Sequence, residues 1–238
     1  MTVGSECKYR ISEAWVRIIP FAGFMLFIGF EEGLHFLQGH GLISLSDQTF
    51  FLLYPIKIIS TVLLLFCLYR RFSELNWRDL RQTADTFQSL LLGLIVFVLW
   101  INMDWKFGVV SKESGVNPWS IENTSMVYGF IFFRLAGSAL VVPIMEELFW
   151  RSFILRYLID NSDFTKIKIG QFTWFSCLAG ALLFGLEHNL ILAGIMAGLA
   201  YNLLLYRTKS IVQCIFAHAV TNMALGIYVL GTGEWGFW

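Results

Sequence analysis

Long apolar segments alternate with short polar ones along most of the 238-residue chain. The apolar runs occupy residues 14–30, 50–69, 86–103, 125–158, 171–188, 190–206 and 210–230. Because about 20 helical residues cross a bilayer, each run predicts a membrane-spanning helix. The run 125–158 contains Pro143 and is either one long tilted helix or two pieces broken near that proline. The pattern predicts an all-α, polytopic membrane helix bundle of seven to eight transmembrane helices, with residues 1–238 in one transmembrane domain.

The composition supports a membrane protein that has the lipid bilayer as its partner. Hydrophobic residues make up 57% of the chain and charged residues 14%, with a formal net charge of zero. Soluble domains contain about 25% charged residues. The zero net charge gives no argument for a nucleic-acid partner, and none is predicted. The four cysteines lie far apart without the spacing of metal ligands, so no metal or other cofactor is predicted.

The distribution of lysine and arginine predicts the orientation of the chain. With the N-terminus inside and seven crossings, the inside segments contain Lys8, Arg10, Arg17, Arg70, Arg71, Arg78, Arg81, Arg151, Arg156, Lys166, Lys168, Arg207 and Lys209. The outside segments contain only Lys106 and Lys112. Because basic residues favour the cytoplasmic side, the N-terminus is predicted to be cytoplasmic. A full extra crossing near Pro143 would spoil this asymmetry, so an eighth helical piece would have to be re-entrant.

Two polar or aromatic groups near the ends of the predicted spans are interpreted as surface features. Glu31 and His35 share a helical face after the first span and could face a cavity, but we interpret them as solvated at the membrane surface. The segment Trp235-Gly236-Phe237-Trp238 is interpreted as an interfacial aromatic belt and not as a binding motif.

Charged residues inside the fourth apolar run are the first candidate for chemistry. A charge at the bilayer centre costs about 2.5–3.5 kcal/mol on insertion scales, so such residues tend to be paired and functional. Glu147 and Arg151 are four residues apart and are predicted to form an ion pair on one helical face. Glu146 then points elsewhere, which suggests one structural and one chemical carboxylate. Alternatively, all three residues form an ion cluster that locks helix to helix.

Two later spans contribute further polar groups. His188 follows Phe184 by one helical turn, and Asn222 follows His218 by one turn inside the span 210–230. An imidazole and an amide on one face can together donate hydrogen bonds to a developing oxyanion. A single histidine on an apolar helix is alternatively a satisfied hydrogen bond between helices.

In this order, Glu146-Glu147-x-x-x-Arg151, Phe184-x-x-x-His188 and His218-x-x-x-Asn222 resemble the three motifs of the CAAX-processing and bacteriocin-processing (CPBP) intramembrane proteases. The type II CAAX endopeptidases belong to that superfamily. The resemblance covers about residues 135–225, within a motif-bearing core of about 125–230. Residues 156–158, 200–208 and 230–235 further resemble the CAAX-protease-related proteins of bacterial exosortase systems. Two positions differ: many members have Arg-Gly in place of Arg151-Ser152, and Glu187 adds an acid beside His188.

The resemblance implies a metal-free, glutamate-type intramembrane endopeptidase of the bacterial inner membrane. Its substrate would be a membrane-associated protein or peptide, and proteins of an exosortase system would be partners. Carried over by position, the site consists of Glu146, Glu147, Arg151, His188, His218 and Asn222.

The resemblance also implies a role for each of these residues. Glu146 would activate water beside His188, while His218 and Asn222 would stabilise the oxyanion. Glu147 would hold the site together with Arg151, although the sequence leaves open which glutamate is the base. Water must then reach a cavity inside the bundle.

Two other functions use the same residues. Glu146, His188 and His218 could form a zinc site with two histidines and one glutamate, as in a metallopeptidase, but the H-E-x-x-H spacing is missing. The chain could also be a non-catalytic membrane scaffold or an immunity-type protein, in which the polar cluster only packs helices together.

Overall fold

A computed structural model describes residues 11–103, 115–121 and 123–237. The described residues form helices without any β-strand, which confirms the predicted all-α class. The helices are α1 Glu13–Gly39, α2 Asp47–Leu68, α3 Thr83–Asn102, α4 Thr124–Tyr157, α5 Trp174–Leu186, α6 Ile191–Thr208 and α7 Ile211–Thr232. Short 3₁₀ turns lie at Tyr69–Arg71, Trp77–Arg81, Pro118–Ser120, Phe164–Lys166 and Trp235–Phe237.

Six of these helices are long and apolar enough to cross a membrane, and α5 is a shorter apolar helix of 13 residues. The predicted count of seven to eight transmembrane helices is therefore not confirmed within the described ranges. The predicted orientation remains a prediction. Four of the basic residues on which it depends, Lys8, Arg10, Lys106 and Lys112, lie outside the described residues.

The ends of the helices follow from local capping chemistry. The Asn123 side chain accepts hydrogen bonds from the backbone N–H groups of Ser125 and Met126 at 3.0 and 3.2 Å, which starts α4. Lys209, with φ of 56°, and Gly233, with φ of 76°, adopt left-handed conformations that end α6 and α7. Only two residues separate α6 from α7, so these helices are antiparallel neighbours.

The fourth apolar run forms one helix of 34 residues, so the alternative of two pieces broken near Pro143 is wrong. The strain of the proline is absorbed inside the helix. Proline has no N–H for the carbonyl of Ala139, and its ring crowds that carbonyl. The helix widens into a π-helical segment at Gly137–Val141 just before Pro143, and again at Leu148–Ile154.

Small residues allow the late helices to approach closely. A Cβ atom added to Gly198 of α6 would lie 3.0 Å from the Cα of Ala181 in α5, so a larger residue would push the two helices apart. On the other side, the Thr221 hydroxyl of α7 donates a hydrogen bond of 2.8 Å to the carbonyl of Gly93 in α3. These contacts bring the motif-bearing helices around one interior space.

A buried polar cluster ties α1 to the C-terminal end of α4. It consists of Arg17, Glu74, Ser152 and Arg156, and we call it the clamp. Arg17 donates two hydrogen bonds of 2.8 Å to the carboxylate of Glu74, which lies in the connection after α2. The Ser152 hydroxyl donates to Glu74 and accepts from Arg156 at 2.8 Å. Ser152 stands where many members of the resembled family have glycine, and its hydroxyl completes this network.

Candidate active site

An interior cavity of about 190 Å³ lies between α3, α4, α5, α6, α7 and the connection from α5 to α6. It is lined by Trp100, Arg134, Ser138, Val142, Glu146, Phe184, His188, Ala197, Tyr201, His218, Thr221, Asn222, Leu225, Gly226 and Phe237. Four of the six predicted site residues line it directly. The other two, Glu147 and Arg151, lie behind this wall.

Glu147 and Arg151 form the ion pair that their spacing predicts. Arg151 Nε lies 3.2 Å from Glu147 Oε2, and the two side chains are 1% and 0% exposed. The guanidinium also lies over the ring of Phe184, 4.3 Å from its centre, and donates to the Gly198 carbonyl at 3.4 Å. Arg151 therefore joins α4 to both α5 and α6, which is a structural position.

Glu146 points from α4 into the cavity, away from the Glu147–Arg151 pair. Its Oε2 atom is buried and, among the described residues, has no hydrogen-bond partner. The imidazole in ion-pair range is that of His218, whose Nε2 atom lies 3.9 Å from Oε2. A buried carboxylate oxygen without a donor is costly unless something in the cavity completes it. This atom is suited to hold a water molecule or a polar group of a substrate.

His218 is held by the second glutamate. Its Nδ1 atom lies 2.9 Å from Glu147 Oε1, and its ring stacks on Tyr201 with centres 5.0 Å apart. Because a carboxylate can only accept, Nδ1 carries the proton and Nε2 is left for the cavity. This contact joins residues 71 positions apart, and the helical spacing alone could not predict it. Glu147 thus orients His218 as well as pairing with Arg151.

His188 lies in the turn after α5 rather than on the helix that the apolar run 171–188 suggested. Its Nδ1 atom lies 2.8 Å from the carbonyl of Phe184, so this nitrogen is the donor. In a neutral ring, Nε2 is then an acceptor. The ring packs edge-on against Trp100, with centres 5.4 Å apart. His188, from the turn after α5, and Glu146, from α4, line the same cavity.

Asn222 lies one turn after His218 on α7, and both line the cavity. Its Nδ2 atom donates a hydrogen bond of 2.8 Å to the carbonyl of Ser138, which lies in the first π-helical segment of α4. One amide hydrogen is therefore engaged with the protein, and the second remains for another acceptor. The structure brings the predicted donor pair of His218 and Asn222 together, and one amide hydrogen of Asn222 is already bonded to the Ser138 carbonyl.

The sequence interpretation missed several residues of the cavity. Arg134, to which the sequence patterns gave no role, lines the wall. Its signal was present, because Arg134, Ser138, Val142 and Glu146 recur at intervals of four. The aromatic tail was interpreted as a membrane belt, but Phe237 lines the cavity; Trp238 lies outside the described residues. Glu187 does not line the cavity and accepts a hydrogen bond of 2.8 Å from Trp150 Nε1.

The alternative zinc site requires three ligand side chains grouped around one point. Within residues 11–103, 115–121 and 123–237, no three His, Cys, Asp or Glu side chains are grouped so that they could hold a metal ion. Glu146, His188 and His218 share the cavity, but their donor atoms do not converge on one point. The geometry therefore gives the metallopeptidase hypothesis no support.

A family model described as type II CAAX prenyl endopeptidase Rce1-like matches residues 127–224. The match covers less than half of the chain and contains all three motifs. No curated protein and no solved structure matches the chain significantly. The similarity supports the predicted relationship to CAAX-processing proteases and, with the six long apolar helices, an integral membrane protease. The predicted relationship to exosortase-associated proteins and the roles of the six site residues stay predictions.

Proposed function

We propose that the chain is a glutamate-type intramembrane endopeptidase that hydrolyses a peptide bond of a membrane-associated protein. The observation that carries the proposal is the Glu146 carboxylate, which is buried at the wall of a cavity with one oxygen lacking a protein donor. Both motif histidines line that cavity. The scaffold or immunity-type alternative does not explain why a buried carboxylate oxygen at the cavity wall lacks a hydrogen-bond donor from the protein.

In the proposed reaction, Glu146 takes a proton from a water molecule while the water oxygen attacks the scissile carbonyl carbon. His188, with Nδ1 engaged by the Phe184 carbonyl, offers Nε2 as a second acceptor that orients the water. Glu146 then passes the proton to the leaving nitrogen as the carbon–nitrogen bond breaks. The products are a carboxylic acid and an amine, and no cofactor is consumed.

The oxyanion would be stabilised from α7. The second amide hydrogen of Asn222 donates to it, and His218 donates from Nε2 when its ring carries both protons. Glu147, which accepts from Nδ1, would balance the charge of that ring. This assigns the base to Glu146 and an orienting role to Glu147, because Glu147 is occupied by Arg151 and His218.

The substrate and setting are proposed from the similarity. The matching family is named for prenylated substrates, so a protein with a lipid-linked cysteine is one substrate class. A protein handled by an exosortase system is the other. The proposed location is the bacterial inner membrane with a cytoplasmic N-terminus, on the basis of the basic residues in alternate connections.

The test uses the purified full chain in proteoliposomes with quenched fluorescent peptides, each made with and without a prenylated cysteine. We expect Glu146→Gln to lower turnover by roughly 10²–10⁴-fold, because it removes a general base. It should leave the thermal unfolding temperature nearly unchanged, because the ion-pair contact of Glu146 with His218 is long, at 3.9 Å.

The matched control is Asp163→Asn, since Asp163 is a partly exposed acid in the connection after α4 that lines none of the described cavities. It should retain wild-type turnover within a few-fold. Turnover that persists in Glu146→Gln would remove the role proposed for this carboxylate. A wild-type protein that binds its cellular partner but cleaves no peptide would favour the scaffold alternative.

A further inference from the structure

A second cavity, of about 340 Å³, lies between α1, α2, α4 and the turn at Pro118–Ser120. It is lined by Glu31, Glu32, His35, Phe50, Phe51, Tyr54, Lys57, Val116, Asn117, Ser120, Phe130 and Arg134. Glu31 and His35 were interpreted from the sequence as solvated at the membrane surface, whereas in the structure they line this cavity. It contributes nothing to the hydrolytic step proposed above.

Arg134 lines both cavities and so marks the place where they adjoin. Phe130, one turn earlier on α4, lines only the second cavity, while Ser138, Val142 and Glu146 line only the first. Five residues at intervals of four therefore form a continuous strip along one side of α4, which we call the α4 strip.

The π-helical segment is what keeps the α4 strip straight. In an α-helix with 3.6 residues per turn, each step of four residues drifts by about 40° around the axis. The π-helical segment Gly137–Val141 has a wider turn, which offsets this drift between Arg134 and Glu146. The strip can thus face a single groove for its whole length.

Two cations, Lys57 and Arg134, line the second cavity. Lys57 Nζ lies 2.5 Å from Glu31 Oε2, so its charge is neutralised within the cavity. The Arg134 guanidinium lies over the ring of Tyr54, 4.7 Å from its centre, at the junction of the two cavities. A guanidinium presents a planar set of donors that matches a carboxylate in two parallel hydrogen bonds.

We propose that the two cavities bind one extended peptide along the α4 strip, and that Arg134 recognises a carboxylate of that peptide. This inference rests on the proposed function, because the peptide is the substrate cleaved beside Glu146. The carboxylate is either the C-terminal carboxylate of the peptide or an acidic side chain.

The length of the strip sets where the carboxylate lies. Twelve residues separate Arg134 from Glu146, which is roughly 18 Å along a helix. An extended peptide covers roughly 3.3–3.6 Å per residue, and the long side chain of arginine shortens the gap. The carboxylate should therefore lie about three to five residues from the scissile bond.

The test measures peptide binding separately from cleavage. The full-length Glu146→Gln protein in detergent is titrated with fluorescent, lipid-anchored apolar peptides that end in a carboxylate or in an amide. A second pair has an amidated end and carries Asp or Asn at the same distance. We expect the carboxylate member of one pair to bind roughly 10–100-fold more tightly, as for a hydrogen bond to a charged group. The peptide pair whose two members bind with different affinity shows whether the carboxylate is the C-terminal one or an acidic side chain.

The same titrations on a Glu146→Gln background with Arg134→Gln should show no discrimination, and Arg134→Lys should restore part of it. Arg207→Gln, which removes an exposed cation remote from both cavities, is the control and should bind like the parent. Discrimination that survives in Arg134→Gln, equal binding of both members of both pairs, or no binding at all would overturn the proposal. Cleavage by the wild-type protein is measured in a separate assay, so the binding result can fail while the hydrolysis result holds, and the reverse.

Discussion

Two buried clusters on α4 have similar composition and different chemistry. The clamp and the site each pair an arginine with a glutamate and tie α4 to other helices. In the clamp, Arg17, Glu74 and Ser152 satisfy one another with hydrogen bonds. In the site, Glu146 Oε2, Glu147 Oε2, Arg151 Nε and Arg151 Nη1 have no hydrogen-bond partner among the described residues.

The position of the cavity explains this difference. The clamp residues line none of the described cavities, whereas Glu146 lines the interior one. A satisfied network in a low-dielectric interior is stabilising, while an unsatisfied group is costly and is kept where a ligand can complete it. An unsatisfied carboxylate oxygen together with a position at the cavity therefore separates Glu146 from the structural pair of Glu147 and Arg151, which residue type alone does not.

The largest effect on stability is expected from breaking the ion pair of the site. Arg151→Ala leaves Glu147 buried without its cation, which should cost about 3–5 kcal/mol of unfolding free energy. It should reduce the folded fraction and the activity together. Arg207→Ala, which removes an exposed arginine, is the control for thermal unfolding in detergent. A stable but inactive Arg151→Ala protein would mean that Arg151 acts in the chemistry and not in the fold.

Breaking the clamp should harm stability without harming catalysis. Glu74→Gln removes the carboxylate that accepts two hydrogen bonds from Arg17, and we expect a loss of about 3 kcal/mol, at the lower end for a buried pair. Arg17 keeps a second partner in Glu13, at 2.9 Å, which limits the damage. Turnover per folded molecule should match the wild type. A loss of turnover at full stability would erase the distinction between the two clusters.

The clamp should also be sensitive to acid. Burial raises the pKa of Glu74, but hydrogen bonds from Arg17 and Ser152 and the charge of Arg17 outweigh it and hold the pKa below its ordinary value of 4.5. The clamp therefore contributes its full stability above pH 4.5 and loses it as the pH falls through the lowered pKa. Thermal unfolding of the wild type and Glu74→Gln should converge as the pH falls below that value. A constant difference between the two proteins down to pH 3 would contradict this assignment.

A smaller effect is expected at Ser152, whose hydroxyl bridges two other members of the clamp. Ser152→Ala removes one hydroxyl that bridges Glu74 and Arg156, and should cost about 1 kcal/mol. Ser152→Gly should cost somewhat more, because glycine is unfavourable inside a helix by about 1 kcal/mol relative to alanine. Turnover should not change in either variant, as measured on equal amounts of folded protein.

The contrast between the clusters also shows what the sequence could predict. Hydrophobic runs located the ends of six of the seven described helices to within about three residues, whereas α1 continues nine residues beyond its predicted end, to Gly39. The spacing of four predicted the Glu147–Arg151 pair, because it depends on local geometry. A break of the helix at Pro143 was one of the two alternatives left open, and it does not occur because a π-helical segment accommodates the proline within a continuous helix. The contact of Glu147 with His218 and the clamp bond between Glu74 and Ser152 join residues 71 and 78 positions apart. No periodicity encodes such distant contacts, and they depend on how the helices pack.

The π-helical segments of α4 have a consequence for insertions and deletions in this chain. A π-helical turn accommodates one residue more than an α-helical turn, so each segment is equivalent to a one-residue insertion. Removing one residue from Gly137–Val141 would let the helix return to regular α geometry, while later positions would keep nearly the same direction relative to Arg134. Glu146 would then still face the cavity. A homologous chain that has a regular α-helix here should therefore be aligned with a one-residue gap in this stretch.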